Sequence, residues 1–247
     1  MNTVVVTNNK GGVGKTAISV HLAQYLEEQG KSVLVIDLDA QGNTSKTLSA
    51  HASGVKTTQL FNGSAPKVVA NLGITLIESE ASVADLEQAP KEQVLSALRR
   101  SLPIIGKDFD YCVIDTPPGA GLRVISALMA AQYALAPIEL DGFSIDGITT
   151  LLQTIFGIEQ RYNPGLTFVG MLANRLNSNS ASQKAALDEL LANFAGYMVP
   201  AKIGNRSSIP DALREGVPVW RLKKTSAREA GVEMLHAFKI IGERIGL

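Results

Sequence analysis

The sequence predicts an α/β protein with a doubly wound, mostly parallel sheet of seven to eight strands flanked by helices. A β-branched run at residues 4–6 leads through a glycine-rich turn into a helical pattern. Two later runs, residues 32–37 and Tyr111–Asp115, are largely apolar before each ends in an acid, which is typical of strands buried on both faces of a parallel sheet. Because such strands alternate with helical patterns, parallel pairing through crossover helices is expected.

The start of the chain supplies a strand–helix–strand unit. Residues 3–7 are predicted to form the first strand, residues 15–29 the helix and residues 32–37 the second strand. The helical spacing comes from Ile18, Leu22, Tyr25 and Leu26. Open α/β sheets bind ligands at the carboxyl ends of their strands, so the glycine-rich turn lies at the expected binding edge.

The remaining elements continue this alternation. Within residues 44–108, a strand is predicted at 72–77, with 68–69 as a candidate neighbour, and helical segments at 83–86 and 92–100. Later helices are predicted at 122–131, 145–160 and 181–194, and later strands at 133–138, 166–172 and 198–202. Neither a repeat nor a linker rich in Gly, Ser or Pro divides them, so a single domain over residues 1–247 is expected.

Composition narrows the class of protein. Hydrophobic residues at 45% and charged residues at 19% are typical of a globular protein. The net charge is zero, so any contact with nucleic acid or an anionic membrane has to come from a local patch. One cysteine, Cys112, excludes an internal disulfide and a multi-cysteine metal site within one chain. Neither a signal peptide nor an apolar run of about 20 residues is readable, which predicts a cytoplasmic protein.

The turn at residues 9–16 has the residue types of a phosphate-binding loop. Its glycines allow successive backbone N–H groups to converge on an anion, and the helix that follows adds unpaired donors. Lys15 offers a charge to the β- and γ-phosphates, and the Thr16 hydroxyl is placed for Mg²⁺. The predicted nucleotide contacts are Lys10, Gly11, Gly12, Val13, Gly14, Lys15, Thr16 and Ala17.

The loop departs from the common G-x-x-x-x-G-K-[ST] pattern, because Asn9 stands where the first glycine would be and Lys10 follows it. This K-G-G-V-G-K-T form resembles the deviant Walker A motif of the ParA/MinD family of ATPases. The resemblance implies a P-loop fold, ATP or ADP with Mg²⁺ as ligands, and ATP hydrolysis. It also implies that Lys10 reaches across a dimer interface to the partner's nucleotide, and that Gly11 and Gly12 permit the close approach.

The second strand runs into Asp-Leu-Asp-Ala-Gln-Gly-Asn at residues 37–43. Two carboxylates at the binding edge are weak evidence alone, because capping residues look the same. The segment resembles the D-L-D-P-Q-G-N stretch of ParA-type proteins, with Ala40 in place of the usual proline. The resemblance implies that Asp39 orients or activates the attacking water and that Asp37 supports the magnesium environment. The predicted catalytic residues are Lys10, Lys15 and Asp39.

Tyr111–Asp115 is a third informative segment, because Thr-Pro-Pro follows it directly. An aspartate at the end of a buried strand, beside a phosphate loop, is placed to hold Mg²⁺. The predicted metal residues are therefore Thr16, Asp37 and Asp115. In the resembled family the Pro117–Pro118 turn is a nucleotide-sensing switch.

Asn174 follows the strand predicted at 166–172. Its amide can offer a donor and an acceptor to a purine edge, although an asparagine after a strand is also an ordinary turn residue. The family resemblance implies that it reads adenine.

Residues 201–228 contain seven cations against two anions, Asp211 and Glu215. Such an excess fits either a DNA-backbone contact or a solvated face. The resemblance favours DNA, because ParA-type proteins bind it without sequence preference once ATP has paired two subunits. The predicted contacts are Arg206, Arg214, Arg221, Lys223 and Lys224.

The last helix, predicted at 227–245, has one apolar stripe. Its residues are Met234, Phe238, Ile241 and Ile245. A MinD-like membrane helix would have a strongly basic polar face, whereas this face mixes acids and bases. Packing against the sheet is therefore expected, and a membrane is not an expected partner.

The resemblance, taken over nearly the whole chain, implies a short, single-domain ParA type. Because the first strand is predicted to begin at residue 3, an N-terminal helix-turn-helix domain is not expected. The implied partners are a second copy of the chain held by ATP, non-specific DNA, and a ParB-like adaptor on a centromere or cargo that stimulates hydrolysis. The alternative is a MinD-like, membrane-associated spatial regulator.

Overall fold

The computed structural model describes residues 1–141 and 144–247. Its strands are β1 (Asn2–Val6), β2 (Val33–Asp37), β3 (Ala52–Lys56), β4 (Ile74–Glu78), β5 (Tyr111–Asp115), β6 (Tyr133–Glu139), β7 (Thr167–Leu176) and β8 (Met198–Gly204). Its helices are α1 (Lys15–Glu28), α2 (Asn43–Thr47), α3 (Lys91–Ile105), α4 (Leu122–Ala130), α5 (Ile145–Arg161), α6 (Ala181–Phe194), α7 (Ser208–Glu215) and α8 (Thr225–Arg244).

The strands form one eight-stranded sheet in the order β3-β4-β2-β5-β1-β6-β7-β8. Every neighbouring pair is parallel, so the predicted doubly wound fold is confirmed. After β1 the chain moves to the β4 side of the sheet, and after β5 it returns to the β8 side. The carboxyl ends of β1 and β5 therefore flank the point where open α/β sheets bind ligands.

Both faces of the sheet are covered by apolar side chains. Along β2, Leu34 and Ile36 join a core with α3, α4 and α5, whereas Val33 and Val35 join a second core with α1 and α8. A strand with helices on both faces has no solvent side, which explains why β2 and β5 read as continuous apolar runs.

The edge of the sheet differs from the prediction. Residues 68–69 do not form a strand, and Val69 is 67% exposed. The edge strand is instead β3, with the sequence Ala-Ser-Gly-Val-Lys, which pairs irregularly with β4. An edge strand with little buried surface needs no apolar run, so its pattern was too weak to predict.

Two further boundaries change the interpretation of the site. The helix predicted at 83–86 is a 3₁₀ segment, Ala81–Glu87. Strand β7 continues to Leu176, four residues past its predicted end, so Asn174 lies within the strand.

The apolar stripe of α8 is packed into the protein, as predicted. Met234, Phe238, Ile241 and Ile245 are each fully buried in the core that α8 shares with α1. In residues 1–141 and 144–247, no helix has the length and apolar character needed to cross a bilayer. The stripe would have to leave this core before it could contact a membrane.

A polar seam joins α1 to the segment before α8. His21 is fully buried, and its Nδ1 lies 2.7 Å from Ala17 O. Its ring packs 5.8 Å from that of Trp220, whose Nε1 donates to Glu28. Burial lowers the pKa of His21 to about 4, against the opposing effect of the Ala17 hydrogen bond. The imidazole is therefore neutral in the folded protein at neutral pH.

This burial predicts a pH-dependent stability. Because the unfolded chain binds the His21 proton near pH 6.5 and the folded chain near pH 4, lowering the pH through that window favours unfolding. Between pH 7 and pH 4.5, we expect the free energy of unfolding of the wild type to fall by up to about 3 kcal/mol more than that of His21→Gln. Urea unfolding at the two pH values measures this difference. His236→Gln, at an exposed position, serves as the control and should lose as much unfolding free energy between the two pH values as the wild type does. An equal loss of unfolding free energy in His21→Gln and the wild type would contradict the assignment of His21 as a buried, neutral imidazole.

Candidate nucleotide and magnesium site

The loop between β1 and α1 is held in shape by one of its own side chains, Asn8, and by Asn174 of β7. Asn8 Nδ2 donates to Pro137 O at 2.7 Å, and Asn8 Oδ1 accepts from the Lys10 N–H at 2.9 Å. Asn174 Nδ2 donates to Val13 O at 2.8 Å. A Cβ at Gly14 would lie 2.2 Å from that amide nitrogen, and Gly14 has φ +90°. The chain itself therefore requires glycine at position 14.

Gly11 differs from its neighbours in the loop. It is exposed and lies outside the positive-φ region, whereas Gly12 has φ +80°. A Cβ at Gly11 would meet only Pro118 Cβ, at an ordinary contact distance of 3.9 Å. Nothing in the described part of the chain thus requires glycine at position 11.

Lys15 is preorganised at the start of α1. Its side chain is buried, and Nζ donates to Asn8 O at 3.1 Å and to Lys10 O at 3.0 Å. Burial lowers the pKa of Lys15, although the charges of Asp115 and Asp39 oppose this effect. An ammonium group has three donors, so one remains for a phosphate oxygen.

The Asp115 carboxyl group accepts three hydrogen bonds, all of them from side-chain hydroxyls. Thr16 Oγ1 and Thr44 Oγ1 donate to its Oδ2 at 2.8 and 2.7 Å, and Ser19 Oγ donates to its Oδ1 at 3.0 Å. Burial raises the pKa of this fully buried carboxyl group, although the three hydroxyls lower it. Since the Thr16 hydroxyl gives its proton to Asp115, its lone pairs stay available for a metal ion.

Asp37 stands beside Asp115 at the same register of β2 and β5. It is fully buried and accepts from the Ser45 N–H at 2.9 Å and from Ser45 Oγ at 2.7 Å. Burial and the nearby Asp115 carboxylate raise the pKa of Asp37 to about 7. Two buried acids side by side fit a bound cation, because a cation relieves their mutual repulsion.

The donor set matches Mg²⁺ better than a metal held entirely by protein. In the described residues, no group of three or more His, Cys, Asp or Glu side chains could hold a metal ion. Mg²⁺ is typically held by one or two carboxylates, with water and phosphate oxygens completing the shell. Thr16 and Asp115 would hold it here, with Asp37 hydrogen-bonded behind them.

A cleft of about 880 Å³ opens in front of the loop. Its lining includes Gly11, Lys15, Thr16, Asp39, Pro117 and Arg123. Asp39 is half-buried there, and its Oδ1 accepts from the Gln41 N–H at 3.0 Å. A carboxylate at this position can hold a water molecule near the phosphate end of the cleft.

A smaller cleft of about 280 Å³ lies on the other side of Gly14. Asn174 lines it together with Ala17, Pro210 and Leu213. Asn174 is buried and its amide hydrogens face the loop, so its established contact is to Val13 O. The apolar walls have the character of a site for a flat base.

Lys10 lies outside the large cleft. Its Nζ donates to Asp141 O and lies 3.7 Å from Glu139 Oε2. Glu139 Oε1 lies 3.4 Å from Arg175 Nη1, which also donates to Gly12 O at 2.7 Å. Arg175 adopts φ 57°, a conformation that is uncommon for a residue with a side chain. The Lys10 side chain is 44% exposed and is held by its own chain.

Several residues of the site were missed from the sequence. They are Asn8, Ser19, Thr44, Ser45, Arg123, Glu139 and Arg175. The only available signals were polar residues directly after the Asp37–Asn43 stretch and one arginine in an otherwise apolar helix. Apart from Ser45, which is hydrogen-bonded to Asp37 eight residues away, each acts through a partner far along the chain, which a local pattern does not reveal.

Four of the five predicted DNA contacts form ion pairs. Arg206 pairs with Glu229 and Glu233, Arg214 with Asp211, Arg221 with Glu28, and Lys224 with Asp211 and Glu215. Four of the seven cations of residues 201–228 thus pair with five carboxylates, three of which lie outside the segment, so the positive excess is smaller than the segment alone indicates. Over the described ranges, Lys223 has no ion-pair partner within 4.0 Å.

Comparison with known proteins gives a consistent result. A family model described as an AAA domain matches residues 1–168. The chain is 40% identical over 245 residues to Protein IncC of Escherichia coli, covering 95% of this chain and 67% of IncC. It is 29% identical over 231 residues to the chromosome partitioning protein ParA of Caulobacter vibrioides, covering 89% and 86% of the two chains. The structure of a Cyanothece McdA variant in complex with ATP superposes with a TM-score of 0.84 at 22% identity, covering 100% and 97%.

The geometry of Lys15 predicts that it binds phosphate. Lys15→Ala removes a buried charged donor, so we expect ATP affinity to fall about 10- to 100-fold, measured by calorimetry. The midpoint of unfolding should change little, because only two carbonyl contacts are lost. Lys46→Ala, on the rim of the same cleft, is the matched control and should bind ATP within about threefold of wild type. Unchanged affinity in Lys15→Ala would refute the phosphate assignment.

Proposed function

The chain belongs to the ParA/MinD-type partitioning ATPases and hydrolyses ATP, and from this premise we propose that it is a DNA-binding dimer switch. ATP pairs two copies face to face, and the pair binds DNA without sequence preference. Hydrolysis to ADP and phosphate separates the copies and releases the DNA.

The position of Lys10 is the observation that carries this proposal. Its ammonium group rests against Glu139 and the Asp141 carbonyl, outside the cleft of its own chain. Gly11 beside it is exposed, and the described residues give no steric reason for a glycine at this position. A lysine and a bare backbone presented outward suit contact with a second copy and its nucleotide. The ATP site is then completed only in the pair.

The chemistry follows from the residues that line the cleft. Backbone N–H groups of the loop and Lys15 hold the phosphates, and Asn174 with the smaller cleft accommodates adenine. Thr16 and Asp115 would hold Mg²⁺, which when bound would neutralise negative charge on the phosphates. Asp39 positions the attacking water, and Lys10 of the second copy neutralises charge that develops on the transferred group.

The DNA contact is assigned to the cations of residues 201–228. Lys223 is exposed and unpaired within the described structure, whereas Arg206, Arg214, Arg221 and Lys224 would exchange carboxylates for DNA phosphates. Pairing two copies doubles this surface, so affinity and its dependence on salt rise together.

The setting of the switch follows the same family. We assign the cytoplasm and the nucleoid as its location and a ParB-like adaptor, bound to a centromere or cargo, as the partner that accelerates hydrolysis. Residues 1–247 form one ATPase domain in this proposal. The buried stripe of α8 is the reason to prefer DNA to a membrane surface.

Gly11→Val tests the paired state. A Cβ at Gly11 has ordinary space beside Pro118 within one chain, whereas a valine side chain would intrude where a second copy would approach. We therefore expect ATP affinity within about threefold of wild type, measured by calorimetry, and loss of the ATP-dependent dimer, measured by light scattering. Gly14→Val is the contrasting variant, because its side chain would collide with Asn174 and damage nucleotide binding itself. A normal ATP-dependent dimer of Gly11→Val would contradict the proposed interface.

Binding to DNA and to liposomes, measured with one preparation, tests the output. With ATP and Mg²⁺ we expect non-specific DNA to be bound and anionic vesicles not; the reverse result supports a MinD-like regulator instead. Lys223→Ala with Lys224→Ala should weaken DNA binding and reduce the salt slope by up to about two. Arg99→Ala with Arg100→Ala removes two exposed cations from α3 and should leave both unchanged. An unaltered slope in the first pair would show that residues 223–224 form only a solvated face.

A further inference from the structure

Arg123 is an unusual residue for its position in the fold. It is the only charged residue of α4, it is 8% exposed, and it lies in the first turn, where the helix dipole disfavours a cation. Its placement therefore serves something other than the helix. It lines the large cleft beside Asp39 and Pro117.

The guanidinium of Arg123 makes two specific contacts. Nε donates to Glu87 Oε1 at 2.8 Å, and Nη1 donates to Leu38 O at 2.8 Å. Glu87 also accepts from the Leu122 N–H at 2.7 Å. This bond caps the start of α4, where Gly121 offers no side chain for that purpose. The arginine is thus fixed at one end by Glu87 and presents its other end to the peptide that precedes Asp39.

That peptide is held on both sides. Leu38 O accepts from Arg123, and the Asp39 N–H donates to Asp37 Oδ1 at 3.0 Å. A peptide group is planar, so two opposed hydrogen bonds define its orientation and with it the Cα position of Asp39. Leu38 itself is fully buried, so its carbonyl has little access to water if Arg123 is removed.

We propose that Arg123 is a positioning residue for ATP hydrolysis, which holds the Leu38 carbonyl and thereby sets the place of Asp39, with Glu87 orienting the guanidinium. The proposal rests on the role given above to Asp39. Because α4 starts just after the Pro117–Pro118 turn, the contact also ties Asp39 to the helix that follows that turn. A shift of about 1 Å in a reacting group can cost about 100-fold in rate.

Arg123→Gln is the primary test, measured by steady-state ATP hydrolysis with Mg²⁺, by ATP affinity and by the midpoint of unfolding. We expect kcat to fall about 10- to 100-fold with ATP affinity within about threefold, at a temperature where the variant is folded. Arg123→Lys should recover part of the rate, because an ammonium group can reach Leu38 O or Glu87 but does not reproduce the fork. Arg100→Gln, exposed on α3, is the control.

Glu87→Gln gives a milder second variant, because the arginine at position 123 is unchanged. It weakens the hold on the guanidinium, so a smaller fall in kcat of about three- to tenfold is expected. If Arg123→Gln does not fold, this variant decides the question. An unchanged kcat in whichever variant folds would overturn the proposal, as would a loss of ATP affinity equal to the loss of rate.

A double variant separates this role from a general structural one. If Arg123 acts through Asp39, Asp39→Ala combined with Arg123→Gln should hydrolyse ATP no more slowly than Asp39→Ala alone. Multiplying effects would overturn the proposal while leaving the role of Asp39 intact. Normal turnover of Asp39→Ala would remove the premise and the proposal together. That result is distinguishable from failure of the proposal alone, in which Asp39→Ala is slow and Arg123→Gln slows it further.

Discussion

The Asp115 carboxylate is the point on which the rest of the site depends. Three hydroxyls, from Thr16, Ser19 and Thr44, donate to it, and they come from two helices that follow two different strands. One buried group therefore fixes the start of α1, the start of α2 and the end of β5 relative to one another. The cost is that the neighbouring carboxyl groups of Asp115 and Asp37 are buried away from water, which raises the pKa of both. A cation bound beside these two carboxyl groups would therefore stabilise the folded protein even before a nucleotide binds.

Much of this arrangement was predictable, because it follows from strand direction. Parallel strands end at one edge, so the acids that terminate β2 and β5 had to meet, and they do so at the same register. The need for glycine at position 14 was likewise readable from the loop. In contrast, Asn174 was expected in a turn after its strand, since nothing local shows that β7 continues past it to reach Val13.

The basic segment shows why local charge is a weak guide. Residues 201–228 read as strongly positive, yet Glu28 on α1 and two acids of α8 pair with Arg221 and Arg206. The Glu28–Arg221 pair joins residues far apart along the chain, so only the fold brings them together. Edge strand β3 was missed for a related reason, because a strand that buries little surface has little hydrophobic pattern to display.

Binding and hydrolysis are prepared to different degrees within one chain. Lys15 and Thr16 are held by hydrogen bonds that are buried or partly buried, so a nucleotide meets donors that need little rearrangement. Lys10 is instead held by a partly exposed ion pair and one carbonyl. Exposed ion pairs are worth about 0–1 kcal/mol, so exchange of this pair for a phosphate group would have a small cost. In the dimer switch proposed above, such an easily exchanged contact suits Lys10, whereas the contacts of Lys15 lie in the interior.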